Sequence, residues 1–176
     1  FTGVFDGNGH VISNFMYFGW PWLYGGLFDF IGSGGVVKNL GLTSVYFEYS
    51  GNRGYVGCLA GGNKGEIERC YVAGAGIKMN LLSRQWGRRG VLGGLVGRNY
   101  EGGSIRESFA QVNVEVAYHL DEFYGLYNDT YIIGGLVGGN IEDAIISDSY
   151  ATGRIKGHSI VGGLVGDFLL SGDIRN

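Results

Sequence analysis

Three histidines, His10, His119 and His158, are the side chains best suited to acid–base or metal chemistry, and none opens a His-Glu-x-x-His zinc signature. No Gly-x-Ser-x-Gly segment presents a nucleophilic serine. Glycine loops that cradle phosphate need a strand running into a helix, whereas the glycine clusters here lie between strand-like segments. His10 directly follows the turn Asp6-Gly7-Asn8-Gly9, a place for a surface or capping histidine. Glu107 and Asp148 recur at one position of an internal repeat, in a column with Lys38 and Arg69. Stacked one coil apart, they would stand near the roughly 5–5.5 Å of a retaining glycosidase. The reading favoured for this column is a solvated charge ladder in which Arg69 pairs with Glu107. His119, Asp121, Glu122, Asn128 and Asp129 supply oxygen ligands, but their spacing matches no calcium loop. Asn128-Asp129-Thr130 is a glycosylation sequon. Cys58 and Cys70, twelve positions apart, fit no metal spacing; they are read as buried thiols, with a disulfide across one turn of the repeat as the alternative.

The elements that must position these residues are set by Gly-Gly-Leu-Val-Gly, found at Gly93–Gly97, Gly134–Gly138 and Gly162–Gly166, with degenerate copies at 25–29 and 57–61. Glycine makes up 36 of 176 residues, but 45% hydrophobic residues and one proline argue for a folded chain, so the glycines serve turns and close approaches. A net charge of -3 gives no basic footprint for nucleic acid, and no apolar run is long enough to span a membrane. The segments are short, β-branched and bounded by Gly, Asn, Asp and Ser, and none sustains a helical period. A single domain over 1–176 follows, with a first coil at 1–24 and repeats starting near 25, 57, 93, 134 and 162. Each repeat reads as about three short strands. The lead-in around the Asp-Gly-Asn-Gly turn reads as strand, tight turn, strand. One repeat cannot bury its own apolar face, and stacking does so, giving a β-solenoid of about five to six coils.

Alignment of the repeats yields columns. Leu27, Leu59, Leu95, Leu136 and Leu164 form an interior ladder. Asn63, Asn99 and Asn140 form a second, whose amides are suited to hydrogen bonding from coil to coil. Tyr71, Phe109 and Tyr150 form a third, whose direction periodicity leaves open. Phe28, Ala60, Val96, Val137 and Val165 adjoin the leucines and should face the opposite side of the strand, either covered by insertions or exposed as a docking stripe. Length differences concentrate before each return to Gly-Gly, in excursions at 15–24, 43–55, 74–90 and 111–131 that emerge on one side. These carry most of the aromatic residues. Trp20, Trp22, Tyr24, Trp86, Tyr118, Tyr124 and Tyr127 are the binding or interface candidates.

The Gly-Gly-Leu-Val-Gly unit followed by Asn, the segment Ser149-Tyr150-Ala151-Thr152-Gly153 and the lead-in FDGNGHVISN resemble the GLUG-motif repeats of secreted or surface bacterial and archaeal proteins. The resemblance covers nearly the whole chain, although the excursions here are longer and richer in aromatics. It implies an extracellular right-handed parallel β-helix and brings no catalytic residues or cofactor. The resulting expectation is a non-catalytic structural or adhesive solenoid, with open ends that continue into further sequence or stack into a filament. Its partners would be copies of itself or other cell-surface proteins. The alternatives are a carbohydrate-binding module using the aromatic excursions, or a polysaccharide lyase or hydrolase acting through Glu107.

Overall fold

In a computed structural model, the described residues are 1–19, 23–49, 53–81, 89–118, 130–157, 160–169 and 172–175. The chain winds through four parallel sheets in a fixed order, so that each strand pairs with its counterpart one coil away. Sheet I comprises Val4–Asp6, Val36–Lys38, Glu66–Glu68, Ser104–Arg106, Ile145–Ser147 and Asp173–Arg175. Sheet II comprises Val11–Ser13, Gly41–Thr43, Tyr71–Leu81, Phe109–Tyr118 and Tyr150–Thr152, widened by Met16–Gly19, Tyr46–Tyr49 and Ile155–Lys156. Sheet III holds Tyr24–Gly25, Arg53–Gly57, Arg89–Gly93, Thr130–Gly134 and Ile160–Gly162. Sheet IV holds Phe28–Ile31, Ala60–Asn63, Val96–Asn99, Val137–Ile141 and Val165–Leu169. No helix occurs among the described residues. The fold is a parallel β-helix, and each coil crosses four faces rather than three strands.

The extra face comes from the repeated motif, which is an arch rather than one strand. Gly93 ends a sheet III strand, Gly94 and Leu95 bend, and Val96 opens a sheet IV strand. At this bend two successive N–H groups converge on one carbonyl: Leu59 and Ala60 both donate to Leu95 O, at 3.0 and 3.2 Å. Leu95 and Val96 do the same to Leu136 O, and Leu136 and Val137 to Leu164 O. A strand alternates sides only while it stays extended. The bend resets the alternation, so Leu59, Leu95 and Leu136 and their neighbours Ala60, Val96 and Val137 are all buried. The valine column is therefore core, not an outer stripe.

Past the bend, glycine lets sheets III and IV meet backbone to backbone. A β-carbon on Gly97 would lie 2.5 Å from Val56 N and 2.6 Å from Gly61 O. One on Gly138 would lie 2.6 Å from Gly97 O and 2.7 Å from Leu92 O. No side chain fits there.

The excursions also depart from the loop expectation. They begin as regular strands of sheet II, stacked in register as Tyr17, Phe47, Ile77, Val114 and Ile155. Period-two alternation persists, so Phe47, Tyr49, Ile77, Met79, Val114 and Val116 point into the core while Glu48, Lys78 and Glu115 face out. Tyr131, on the return strand, is buried as well. These aromatics are packing, worth about 1.5–3 kcal/mol each by transfer.

The lead-in is not a hairpin. Val4–Asp6 and Val11–Ser13 lie in different sheets, each paired in parallel with the next coil, and the Asp-Gly-Asn-Gly turn is a corner. There Asp6 Oδ1 accepts from Asn8 N–H and from Asn39 Nδ2, both at 2.9 Å.

Candidate functional site

The most repeated polar residue is the asparagine of sheet IV. Asn63, Asn99 and Asn140 are fully buried. Asn63 Nδ2 donates to Asn99 Oδ1, and Asn99 Nδ2 to Asn140 Oδ1, both at 2.8 Å. Each amide also donates to a carbonyl of its own turn: Gly65 at 3.2 Å, Gly103 at 3.3 Å and Ala144 at 2.9 Å. An amide bonded along the stack and to its own turn has little capacity left for a ligand. Ile31 and Phe168 take the same register position at the two ends of the row.

The column proposed for carbohydrate chemistry lies at the corner between sheets I and II. Arg69, Glu107 and Asp148 share a left-handed backbone (φ 47° to 49°) with Asn39, at φ 52°. Lys38 belongs one position earlier, on the strand, where it pairs with Glu68. The column therefore begins at Asn39. Arg69 Nη1 stands 3.9 Å from Glu107 Oε2, Arg69 Nε donates to Asn39 Oδ1 at 2.8 Å, and Arg69 also pairs with Glu68. Glu107 and Asp148 are exposed on this corner. It is a surface ion-pair column, without the enclosing walls that sharpen electrostatics at a reacting bond.

Just inside the same corner, Ser149 Oγ accepts from Ser108 N–H at 3.1 Å, and Ser108 Oγ accepts from Cys70 N–H at 3.1 Å. Each serine hydroxyl donates to the carbonyl two residues back, and the Cys70 thiol does likewise to Glu68 O at 3.4 Å. Cys70 thus takes the place of a serine. The Cys58–Cys70 disulfide is not formed: both thiols are free. Cys58 sits at the arch bend and Cys70 at the far corner, so the helical path separates them. Burial pushes the Cys70 thiol up to about 11, and the fully buried Cys58 thiol higher still. Neither is a nucleophile at neutral pH.

Tyr71, Phe109 and Tyr150 point outward from sheet II and stack face to face, with centroids 5.0 and 4.9 Å apart and planes within 8°. Beneath them Gly41 leaves the space that the Tyr71 ring fills. Because each ring face is covered by the next ring, the ladder shows mostly edges to solvent. Sugar stacking needs faces.

At the mouth of the arch, aromatic residues surround one cation. Tyr24 stacks on Tyr55 at 5.3 Å and meets Phe30 edge-on at 5.0 Å; Tyr100 lies 5.8 Å from Phe30. The Arg98 guanidinium sits 4.6 Å over Tyr55, and its Nη1 donates to Tyr55 Oη at 3.3 Å. The Tyr24 and Tyr100 hydroxyls are 3.0 Å apart. Burial, and then the hydrogen bond shared with Tyr24, push the Tyr100 phenol well above its ordinary range.

Of these, only Tyr24 was a sequence candidate. Tyr55, Phe30, Arg98 and Tyr100 were hidden because the first bend is one residue shorter: Tyr24 pairs with Tyr55, yet Phe28 pairs with Ala60. Trp20, Trp22, Trp86, Tyr124, Tyr127 and Asn128 lie outside the described residues, as does the cluster His119, Asp121, Glu122 and Asp129. Tyr118 closes the strand Phe109–Tyr118, and its side chain is outside them too. Among the described residues, no group of three or more His, Cys, Asp or Glu is placed to hold a metal ion.

The arch, the amide row and the ring stack define a glycine-rich β-solenoid. The chain carries the GLUG motif: the family model of that description matches residues 129–156, which take in the arch around Leu136 and Asn140. Over 72 residues the chain is 40% identical to a protein of Evansella cellulosilytica named "Putative Gly-rich membrane protein". The match takes in 41% of this chain and 8% of that protein, so the chain spans a small part of its relative's length. No solved structure matches the chain. Among the described residues, no helix is long and apolar enough to cross a membrane.

Proposed function

We propose that this chain is a structural segment of a surface protein, a rod whose end coils add onto another β-coil, including that of a second copy. The observation that carries it is the distribution of exposed apolar groups. Among the described residues, every large apolar side chain that is exposed lies on, or directly before, the first or last strand of its sheet, with the exception of Ile145. Val161, for instance, is 45% exposed, although its counterparts Val56, Leu92 and Ile133 are buried. Unpaired strand edges flanked by apolar side chains are templates for strand addition. The saturated asparagine row supports the same reading, because the most repeated polar groups are spent on joining coil to coil. The name of the Evansella cellulosilytica relative agrees with placement at a cell surface.

The test is particle mass by light scattering over a wide concentration range, alongside electron microscopy. Rods should lengthen with concentration, and Val161→Lys should hold them at single-copy length while Thr152→Lys, on an outward position, should not. A strictly monomeric wild type, or Val161→Lys lengthening like wild type, rejects end-to-end assembly.

A glycan-binding reading is favoured by the arch mouth, where Tyr24, Tyr55, Tyr100 and Arg98 combine ring surface with donors. Binding on a glycan array that disappears in Tyr100→Ala and Arg98→Gln would support it. Binding retained in both, and lost in Trp20→Ala with Trp22→Ala, would move the platform to the first excursion.

A further inference from the structure

We infer that the outward charges of sheets I and II fix the order of the coils, because a coil that skips its neighbour meets like charges. Counted from Val4–Asp6, the first four coils carry Asp6, Lys38, Glu68 and Arg106 at one position of sheet I. At one position of sheet II, the second to fifth coils carry Glu48, Lys78, Glu115 and Lys156. Each column reverses sign at every step over four coils. The two run in opposite phase, pairing Lys38 with Glu48, Glu68 with Lys78, and Arg106 with Glu115 in the second, third and fourth coils. Ser147 interrupts the sheet I column in the fifth coil.

Charges of adjacent coils are within reach of one another. Lys38 Nζ stands 3.6 Å from Asp6 Oδ2, Arg106 Nη2 3.7 Å from Glu68 Oε2, and Lys156 Nζ 2.7 Å from Glu115 Oε1. Lys156 first, and then Arg154 and Lys78, hold the Glu115 carboxyl below its ordinary range, so the coils on both sides act on it.

The core carries no such information. Ala60, Val96 and Val137 share one buried column, Ile67, Ile105 and Ile146 another, and Asn63, Asn99 and Asn140 a third. A strand from two coils away therefore fits these columns almost as well as the true neighbour. Repeat chains misfold by such exchanges, and the closure entropy of a longer loop opposes them weakly, since it grows only with the logarithm of length. With the third coil left out, Lys38 would meet Arg106 and Glu48 would meet Glu115. Omitting the second sets Asp6 against Glu68, and omitting the fourth sets Lys78 against Lys156. In that last case Arg69 would face Asp148 at the corner, an exchange that favours the slip, so selection is sharpest around the third coil. Ion pairs this exposed add little to stability. They separate one register from another, because attraction turns into repulsion at two columns at once. This selection acts within one chain, whether or not rods join end to end.

The experiment is disulfide trapping after refolding. In a Cys58→Ala, Cys70→Ser background, the reporters are Thr43→Cys and Gln111→Cys, at positions that both pair in register with Ala73. In the native stack they stand two strands apart, about 10 Å, beyond the roughly 4.4–6.8 Å that a disulfide spans. Leaving out the third coil brings them together. The chain is refolded from urea, an oxidant is added, and cross-linked monomer is counted by mass spectrometry of its peptides. Lys38→Glu with Glu48→Lys keeps the net charge, sets the second coil against the third and matches it to the fourth. It should raise the trapped fraction about tenfold at low salt, and about 1 M salt, where the screening length is roughly 3 Å, should remove the difference. With the original charges, the same salt should raise the trapped fraction severalfold, a readout that stands even if the reversed chain fails to fold. Reversed charges that lower the urea midpoint without raising the trapped fraction overturn the inference, because the columns then act as ordinary ion pairs. A trapped fraction indifferent to salt with the original charges also overturns it.

Discussion

The arch side and the excursion side of this rod are built from the same backbone and obey different rules. Around the bend between sheets III and IV a few positions barely change: leucine within it in every coil, glycine two residues past it in all but the first, and asparagine at the end of sheet IV in the three middle coils. Each is held by something in the next coil, whether a shared carbonyl, an approaching backbone or an amide. On the far half of sheet II, only the inward polarity is kept. Tyr17, Phe47, Ile77 and Val114 differ in shape, and the outward column passes from Phe18 to alternating charges. Constancy therefore marks where coils are joined, and variation marks where the rod meets its surroundings.

Three substitutions would break or sharpen that contrast. The largest effect is expected for Gly97→Ala, because backbone atoms of two strands stand within 2.6 Å of the new β-carbon and neither can yield. A loss above about 3 kcal/mol, at the upper end for overpacking, should appear in urea unfolding; a loss below about 1 kcal/mol would mean the arch is slacker than its geometry. Asn99→Ala comes next, in the middle of the amide row. It removes the acceptor for Asn63 and the donor to Asn140 in a fully buried site, and should cost about 2–3 kcal/mol. Replacing the exposed Asn113 on the excursion side should cost far less, and equal losses would erase the distinction between the two halves. The smallest effect belongs to Glu115→Gln. The Lys156 ammonium, 2.7 Å away, holds the Glu115 carboxyl below the ordinary carboxylate range. Because the folded pKa is lowered, the pair adds stability above that range and loses it as pH falls through the folded value. Both groups are substantially exposed, so the contribution should stay below about 1 kcal/mol, and wild type and variant should converge once the pH falls below the lowered folded value.

The stack itself was legible in the sequence because a parallel solenoid repeats its side chains in register. The asparagine positions read from the spacing pair in space, and the leucines from Leu59 to Leu164 are joined by backbone hydrogen bonds from coil to coil. The bend was not legible. Alternation through Leu95 and Val96 reads as one inside and one outside, and only the shared Leu136 carbonyl shows that both turn inward. The excursions misled for the opposite reason. Their length suggested loops, although the runs Tyr46-Phe47-Glu48-Tyr49 and Val112-Asn113-Val114-Glu115-Val116 already carried strand periodicity. The arch-mouth cluster was obscured by a single-residue shift in the first coil, since columns drawn one position off separate Tyr24 from Tyr55. Lys38 was misplaced in the same manner.

The stacked rings of Tyr71, Phe109 and Tyr150 have an optical consequence. Two phenols fixed parallel, on either side of a phenyl ring at about van der Waals separation, form an ordered chiral array of chromophores. Their near-ultraviolet circular dichroism depends on coils remaining in register. None of the three rings is a tryptophan, so indole fluorescence does not report on this array. The molecule therefore carries an intrinsic reporter for the integrity of the stack, in the tyrosine and phenylalanine bands of its near-ultraviolet spectrum.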